Sequence, residues 1–201
     1  MEAKKGRREM KKFELTTEFI TNALGKKLFR IKALVEFGSV KAGELGGYAE
    51  KEENISQDGN AWVSDDACVY GDAKVFGNAW VYGDAWVHGN AKVFGNAEVY
   101  GDAKVYGNAW VYGDAEVSGG AEVFGNADYA LVKGFGTEFR CTTFYRDKNK
   151  KIMVNCGCFH GDLKAFRKQV KETRSGKIAK EYLMIADLME YHFTSEDSSD
   201  E

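Results

Sequence analysis

The sequence predicts a mainly β chain organised around a triangular solenoid, and three observations predict it. Between Gln57 and Asp128, alanine recurs every six residues at twelve positions, from Ala61 to Ala127. Valine does the same at eleven, from Val63 to Val123. Each hexapeptide then ends on Gly followed by Asp or Asn in nearly every copy, as in VFGNAWVYGDAW (Val75 to Trp86). Ala-x-Val-x is a short strand with Ala and Val on one face. Gly adopts positive φ, and short polar side chains hydrogen-bond their own backbone, so the remaining pair makes a corner. With three hexapeptides per coil, residues 57–128 form about four coils whose axis is filled by Val and Ala.

These residues resemble the left-handed parallel β-helix of hexapeptide-repeat proteins, and the GDA and GNA units resemble a variant common in bacterial and prophage proteins. The left hand is what the resemblance implies, since spacing does not set it and the rule for ordinary crossovers favours the opposite hand. The resemblance also implies a homo-oligomer, with a trimer favoured. It raises two enzymatic readings: acyl transfer from coenzyme A or an acyl carrier, and the zinc chemistry of trimeric β-helix carbonic anhydrases.

Composition bounds the rest. Two hundred and one residues with 44% hydrophobic content suffice for one capped, elongated domain or two small ones. A net charge of −3 gives no bulk attraction to long nucleic acid or to a membrane surface. No apolar run approaches a membrane span of roughly 20 residues, and no signal peptide opens the chain, so a cytoplasmic protein is expected. The four cysteines then read as free thiols.

Residues 1–11 read as a flexible, solvated basic arm, which leaves open a start at Met1 or at Met10. Residues 12–56 read as a β-rich cap. Phe29, Ile31, Ala33, Val35 and Phe37 alternate with Leu28, Arg30, Lys32 and Leu34, and Gly43, Gly46 and Gly47 mark turns. A solenoid exposes backbone hydrogen-bonding groups at its ends, and this segment is expected to cover the first coil. Residues 129–193 read as a hairpin followed by two helices. TEFRCTTFYR and KIMVNCGCFH flank a polar turn, Asp162 is an N-cap, and Leu163, Phe166 and Val170 form an apolar stripe. A second stripe runs through Ile178, Tyr182, Ile185 and Met189. The acidic tail, 194–201, is expected to be disordered.

Residues one coil apart stack at roughly the 4.8 Å spacing of strands, so outward positions sort into columns. Nine of the eleven residues that follow the repeat valines are aromatic or His. Aromatic columns left to water are large apolar patches of the kind that mark interaction sites. Trp62, Trp80, Tyr82, Trp86, Tyr100 and Tyr106 are the candidates for an oligomer interface. The third face sets Lys74 and Lys92 beside Phe76, Phe94, Trp110 and Tyr112, a combination able to stack a planar ring and neutralise a phosphate. A protein partner or a nucleotide-sized ligand is the occupant this predicts, and no cofactor is expected. Corner columns form as well: Asp66, Asp84 and Asp102, and the ladders Asn60–Asn78–Asn96 and Asn90–Asn108–Asn126.

Two further readings carry chemistry. Cys156, Cys158 and His160, with Cys141 across the hairpin, form a possible zinc set. Single-residue spacing on a strand favours small core residues instead. His88 is the one histidine in the coils and the candidate base for the acyltransferase alternative. An uninterrupted run of coils with a single histidine favours a non-enzymatic binding or scaffold protein. The prophage-type pattern suggests an accessory role, inhibiting a host defence protein or sequestering its nucleotide signal.

Overall fold

The structure, a computed structural model, describes residues 11–194. The expected flexibility of the basic arm before Lys11, the choice between Met1 and Met10, and the expected disorder of the tail after Thr194 lie outside the described residues. Lys11 itself is held, its ammonium 2.7 Å from Glu52.

Three N-terminal strands come first: β1 (Phe13–Thr21), β2 (Lys27–Ala33) and β3 (Leu45–Ala49). They pair antiparallel in order. Eleven two-residue strands follow among the described residues, β4 to β14, each x-Val of a repeat from Trp62–Val63 to Glu122–Val123. They stack as three parallel ladders. The first face is Trp62, Trp80, Glu98 and Glu116 with their valines, the second Cys68, Trp86, Lys104 and Glu122, the third Lys74, Lys92 and Trp110. Every repeat Ala from Ala61 to Ala121 and every repeat Val to Val123 is buried along the axis. From Trp62 to Tyr106 the N–H groups on either side of each repeat valine donate to the next coil, as Trp80 does to Ala97 O at 2.9 Å and Tyr82 to Val99 O at 3.0 Å.

At the first end, β3 pairs parallel with the second face, Tyr48 beside Cys68 and Ala49 beside Val69, so the cap extends that ladder into one seven-stranded sheet. Ile55 bridges to Val75 and starts the third face in the same way. Coil-like pairing therefore begins before residue 57. Alternation along β2 is not simple. Its pairing with β3 shifts register between Arg30 and Lys32. Ile31 and Ala33 enter the axial core while Leu28 is buried on the outside with Tyr48, Cys68 and Tyr70. The cap also brings a cation to the first coil. Lys12, only 4% exposed, donates to Ala61 O at 2.9 Å and Gly59 O at 3.3 Å, carbonyls that no earlier coil serves.

At the other end the period stops before Ala127, which is exposed. Asp128 accepts from Phe124 N and Gly125 N, both at 2.9 Å, and turns the chain off the axis. Asn126 leaves its expected ladder and accepts the Trp110 N–H at 2.8 Å, in place of the next coil's carbonyl. The hairpin expected between 137 and 160 is the centre of a four-stranded antiparallel sheet in chain order: β15 (Tyr129–Val132), β16 (Thr142–Arg146), β17 (Ile152–Cys156) and β18 (Phe159–Asp162). Helices α1 (Leu163–Thr173) and α2 (Gly176–Thr194) follow, and Asp162 caps α1 by accepting from Ala165 N at 2.6 Å. One face of this sheet, with Phe144 and Val154, packs on Phe166, Val170, Ile185 and Met189. The other closes the last coil. Tyr145 and Met153 join the axial core, Thr143 Oγ1 accepts from Glu116 N at 3.0 Å, and Asn155 Nδ2 donates to Glu116 O at 3.0 Å.

The stacking of identical corners generates a stability prediction. Gly95 has φ +75°, and a Cβ there would lie 2.9 Å from Gly113 N and 3.0 Å from Gly113 O in the next coil. Gly25 has φ +76° but open space around it. In chemical denaturation, Gly25→Ala is expected to lose about 1–2 kcal/mol for the left-handed backbone alone. Gly95→Ala is expected to lose a further ~1–3 kcal/mol for forcing two coils apart. Equal losses at the two positions would mean that the corners have slack.

Burial pushes the Lys12 ammonium down to about 8, partly offset by Asp58. Its folded value lies below the unfolded 10.5, so the unfolded chain binds the extra proton between the two and stability rises as pH climbs from about 8 toward 10.5. Urea midpoints measured across that window should rise less in Lys12→Met than in the parent. Parallel profiles would contradict a buried, charged cap.

Candidate functional site

The aromatic columns form because identical positions in successive coils sit at strand spacing. Phe76 and Phe94 stack with ring centroids 4.8 Å apart and planes 3° apart, as do Tyr82 and Tyr100 at 4.8 Å and 4°. Rings held this way bury one another's faces, so mid-column residues are half-covered without any partner. Tyr82, Trp80, Trp86, Tyr100 and Tyr106, all candidates for an oligomer interface, are in that condition.

Trp62 corrects the expectation made for it. It is 1% exposed, with Phe13 and Phe37 edge-on to its ring at centroid distances of 6.4 and 5.3 Å. It belongs to the core beneath the cap and is not available to a second subunit. The repeat gives Trp62 and Trp80 the same motif, and only the covering segment separates them.

His88 lies inside a column as well, between Tyr70 at 4.8 Å and Tyr106 at 5.2 Å, with interplanar angles of 8° and 15°. Burial, and then the nearby Lys104 charge, lower its pKa. Sandwiched on both faces, this imidazole is placed as a packing ring.

The third face ends differently. Its ladder has three strands, and above the last of them the chain swings outward into β15. Phe94 stacks on Tyr112 at 5.2 Å and 13°, and Tyr112 meets Tyr129 edge-on at 6.5 Å. Trp110 stands beside Phe94 at 6.2 Å and 75°. Trp110 is 44% and Tyr112 50% exposed, whereas Phe76 and Phe94 are half-buried. Together Phe94, Trp110, Tyr112, Asn126, Tyr129 and Leu131 line an open cleft of about 550 Å³.

A run of short parallel ladders on a shared alanine–valine axis is a β-solenoid, and one coil of it has a recorded counterpart: the family model described as "YdcK Beta solenoid repeat" matches residues 73–89. The chain is a β-solenoid repeat protein. None of the curated proteins compared with this solenoid protein matches it.

The six residues predicted as a binding set are therefore only partly assembled. Phe94, Trp110 and Tyr112 share the cleft, and Phe76 continues their column one coil away. Lys92 Nζ lies over the Trp110 ring at 4.4 Å and leaves its charge at the cleft's edge. Lys74 instead donates to Glu53 O at 2.6 Å and is drawn toward the cap. Tyr129 and Leu131 were not foreseeable from the period, because they lie beyond it, and Asn126 was expected in a corner ladder that it leaves.

The possible zinc set is dispersed. Cys156 accepts from Thr142 Oγ1 on the helix side of the sheet, Cys158 is exposed in the β17–β18 turn, and Cys141 reaches Asp114 at 3.6 Å. His160 Nε2 lies 3.2 Å from the Tyr145 hydroxyl on the opposite side, at the last coil. Among the described residues, no group of three or more His, Cys, Asp or Glu side chains could hold a metal ion. The corner aspartates remain exposed, and Asp66 lies 3.6 Å from Arg30. The first asparagine ladder continues from Asn96 to Asp114, where hydrogen bonds from Asn96 and Lys133 hold the carboxyl down at about 2. Among the described residues, no helix is long and apolar enough to cross a membrane.

Proposed function

We propose that this solenoid protein is a non-enzymatic binding scaffold whose working surface is the cleft at the end of the third face. The observation that carries this reading is the unfinished aromatic column. Phe76, Phe94 and Tyr112 cover one another in turn, and the next place above Tyr112 is only edged by Tyr129. A planar group entering there gains a stacking surface, the exposed Trp110 ring at its side, and the Lys92 charge close by. A nucleotide, or the tip of a partner protein presenting an aromatic ring with an anion, has that chemistry. Such a protein acts by occupancy. An accessory role of masking a host protein or holding a nucleotide signal is of this kind, and assembly into a trimer through the half-covered first and second faces is compatible with it.

Native mass spectrometry of gently purified protein tests the reading, because it reports subunit number and retained ligand together. The expected result is a retained nucleotide-sized mass or a protein partner, lost in Trp110→Ala. Stacking on one base contributes ~1–3 kcal/mol, so that variant should weaken affinity by roughly ten- to a hundredfold while leaving the fold intact. Acyl transfer that disappears in His88→Ala, with binding unchanged in Trp110→Ala, would replace this reading by the enzymatic one.

A further inference from the structure

A second concavity lies in the C-terminal unit, between the loop preceding β16, the β17–β18 turn and α1. Its volume is about 290 Å³. Phe159, Phe166 and Val170 supply an apolar wall, the first two with ring centroids 5.5 Å apart, and Tyr182 stands edge-on to Phe166 at 5.9 Å. Two arginines line the same space, Arg140 from the loop and Arg174 from the end of α1.

The pairing of these arginines sets them apart from their neighbours. Arg167 on α1 binds Asp187 at 2.7 Å and Glu190 at 2.8 Å, and Lys168 lies 3.8 Å from Glu172. Arg140 and Arg174 have no ion pair among the described residues; Arg174 makes one 3.4 Å contact to the Thr173 carbonyl. Glu138, the carboxylate lining the cavity, comes within ion-pair distance of neither. Both positive charges bear on the Tyr182 phenol, opposing the burial that raises its pKa. Two like charges bordering a partly apolar hollow repel each other, and an anion between them relieves that repulsion. The turn lies close against Arg140. Gly157 has φ +60°, and a Cβ there would lie 2.5 Å from Arg140 Nη1.

We infer that this cavity binds a small organic anion, its carboxylate or phosphoryl head held between Arg140 and Arg174 and its apolar body against Phe159, Phe166 and Val170. Guanidinium forks match both head groups through paired N–H donors. The volume is at the lower end of the range of ligand pockets, which favours a single-ring or branched aliphatic body over a nucleotide. This site is separate from the third-face cleft and does not depend on the function proposed for it.

Titration of the full chain with phenyl phosphate, phenylacetate and inorganic phosphate, followed by amide chemical shifts, tests the inference. At least one phenyl probe should shift the Gly136 and Gly157 amides saturably while leaving Gly95 and Gly113 in the solenoid unmoved. Arg140→Gln and Arg174→Gln, both at exposed positions, should each weaken that binding by about tenfold or more. Preference for phenyl phosphate would support a phosphoryl head, and preference for phenylacetate a carboxylate. Absence of saturation by any probe up to about 10 mM, tenfold above a dissociation constant of about 1 mM for a weak specific ligand, would overturn the inference. So would unaltered binding in both variants. Inorganic phosphate binding as tightly as phenyl phosphate would overturn the role given to the apolar wall.

Discussion

Coil after coil, the N–H groups on either side of each repeat valine donate to carbonyls of the next coil, and that ladder has two ends. Burying an unpaired backbone group costs about 1–3 kcal/mol, more than an ordinary hydrogen bond contributes, so the ends must be supplied from elsewhere. The two solutions differ. At the first coil, antiparallel strands extend one ladder directly, Ile55 and Tyr48 start two of the three faces, and the Lys12 ammonium serves carbonyls on the side they leave open. At the last coil an antiparallel sheet crosses the axis, and side chains substitute for backbone: Thr143 and Asn155 at Glu116, Asn126 at Trp110. The flanking units exist in this form because a parallel ladder cannot close itself.

The same periodicity that fills the axis decides where a ligand has room. Planar rings at 4.8 Å spacing cover each other, and each pair contributes about 0.5–1.5 kcal/mol beyond its buried area. A ring in mid-column, such as His88, has spent both faces on its neighbours. Only where a column is cut short does a face become free. The second face ends on Phe124, which turns edge-on to Tyr106, while the third ends under the departing chain, where β15 builds a wall.

The axial core and the three faces were legible because they depend on one repeated local rule: an Ala-x-Val tripeptide with its Ala and Val buried, and a corner that tolerates positive φ. The α1 cap and both helical stripes were legible for the same local reason. What the sequence left unread depends on contacts between distant segments. Nothing in Trp62-Val63 distinguishes it from Trp80-Val81, because the difference is made by Phe13 and Phe37. Lys12 closes a run of basic residues and is nonetheless the one brought to Ala61 O. Cys156, Cys158 and His160 are adjacent on paper, but strand alternation and a tight turn send them to the helix side, to solvent and to the solenoid. Arg140 and Arg174 are 34 residues apart and share no motif.

The C-terminal sheet is thus constrained on both faces. Toward the solenoid, Tyr145 carries a hydroxyl that meets Ser118, Asn155 and His160, and those polar partners fix how the unit seats on the last coil. Toward the helices, Phe144 and Val154 fix α1, and through it the position of Arg174. The third-face cleft depends on the same seating, since Tyr129 and Leu131 belong to β15, which pairs with the Tyr145 strand. A change that loosens Tyr145 therefore disturbs the third-face wall directly, through β15. It also reaches the arginine cavity, because Arg140 lies on the loop that leads into β16 and Cys156 and Phe159 belong to the strands paired beyond it, so the seating of Tyr145 couples the two sites.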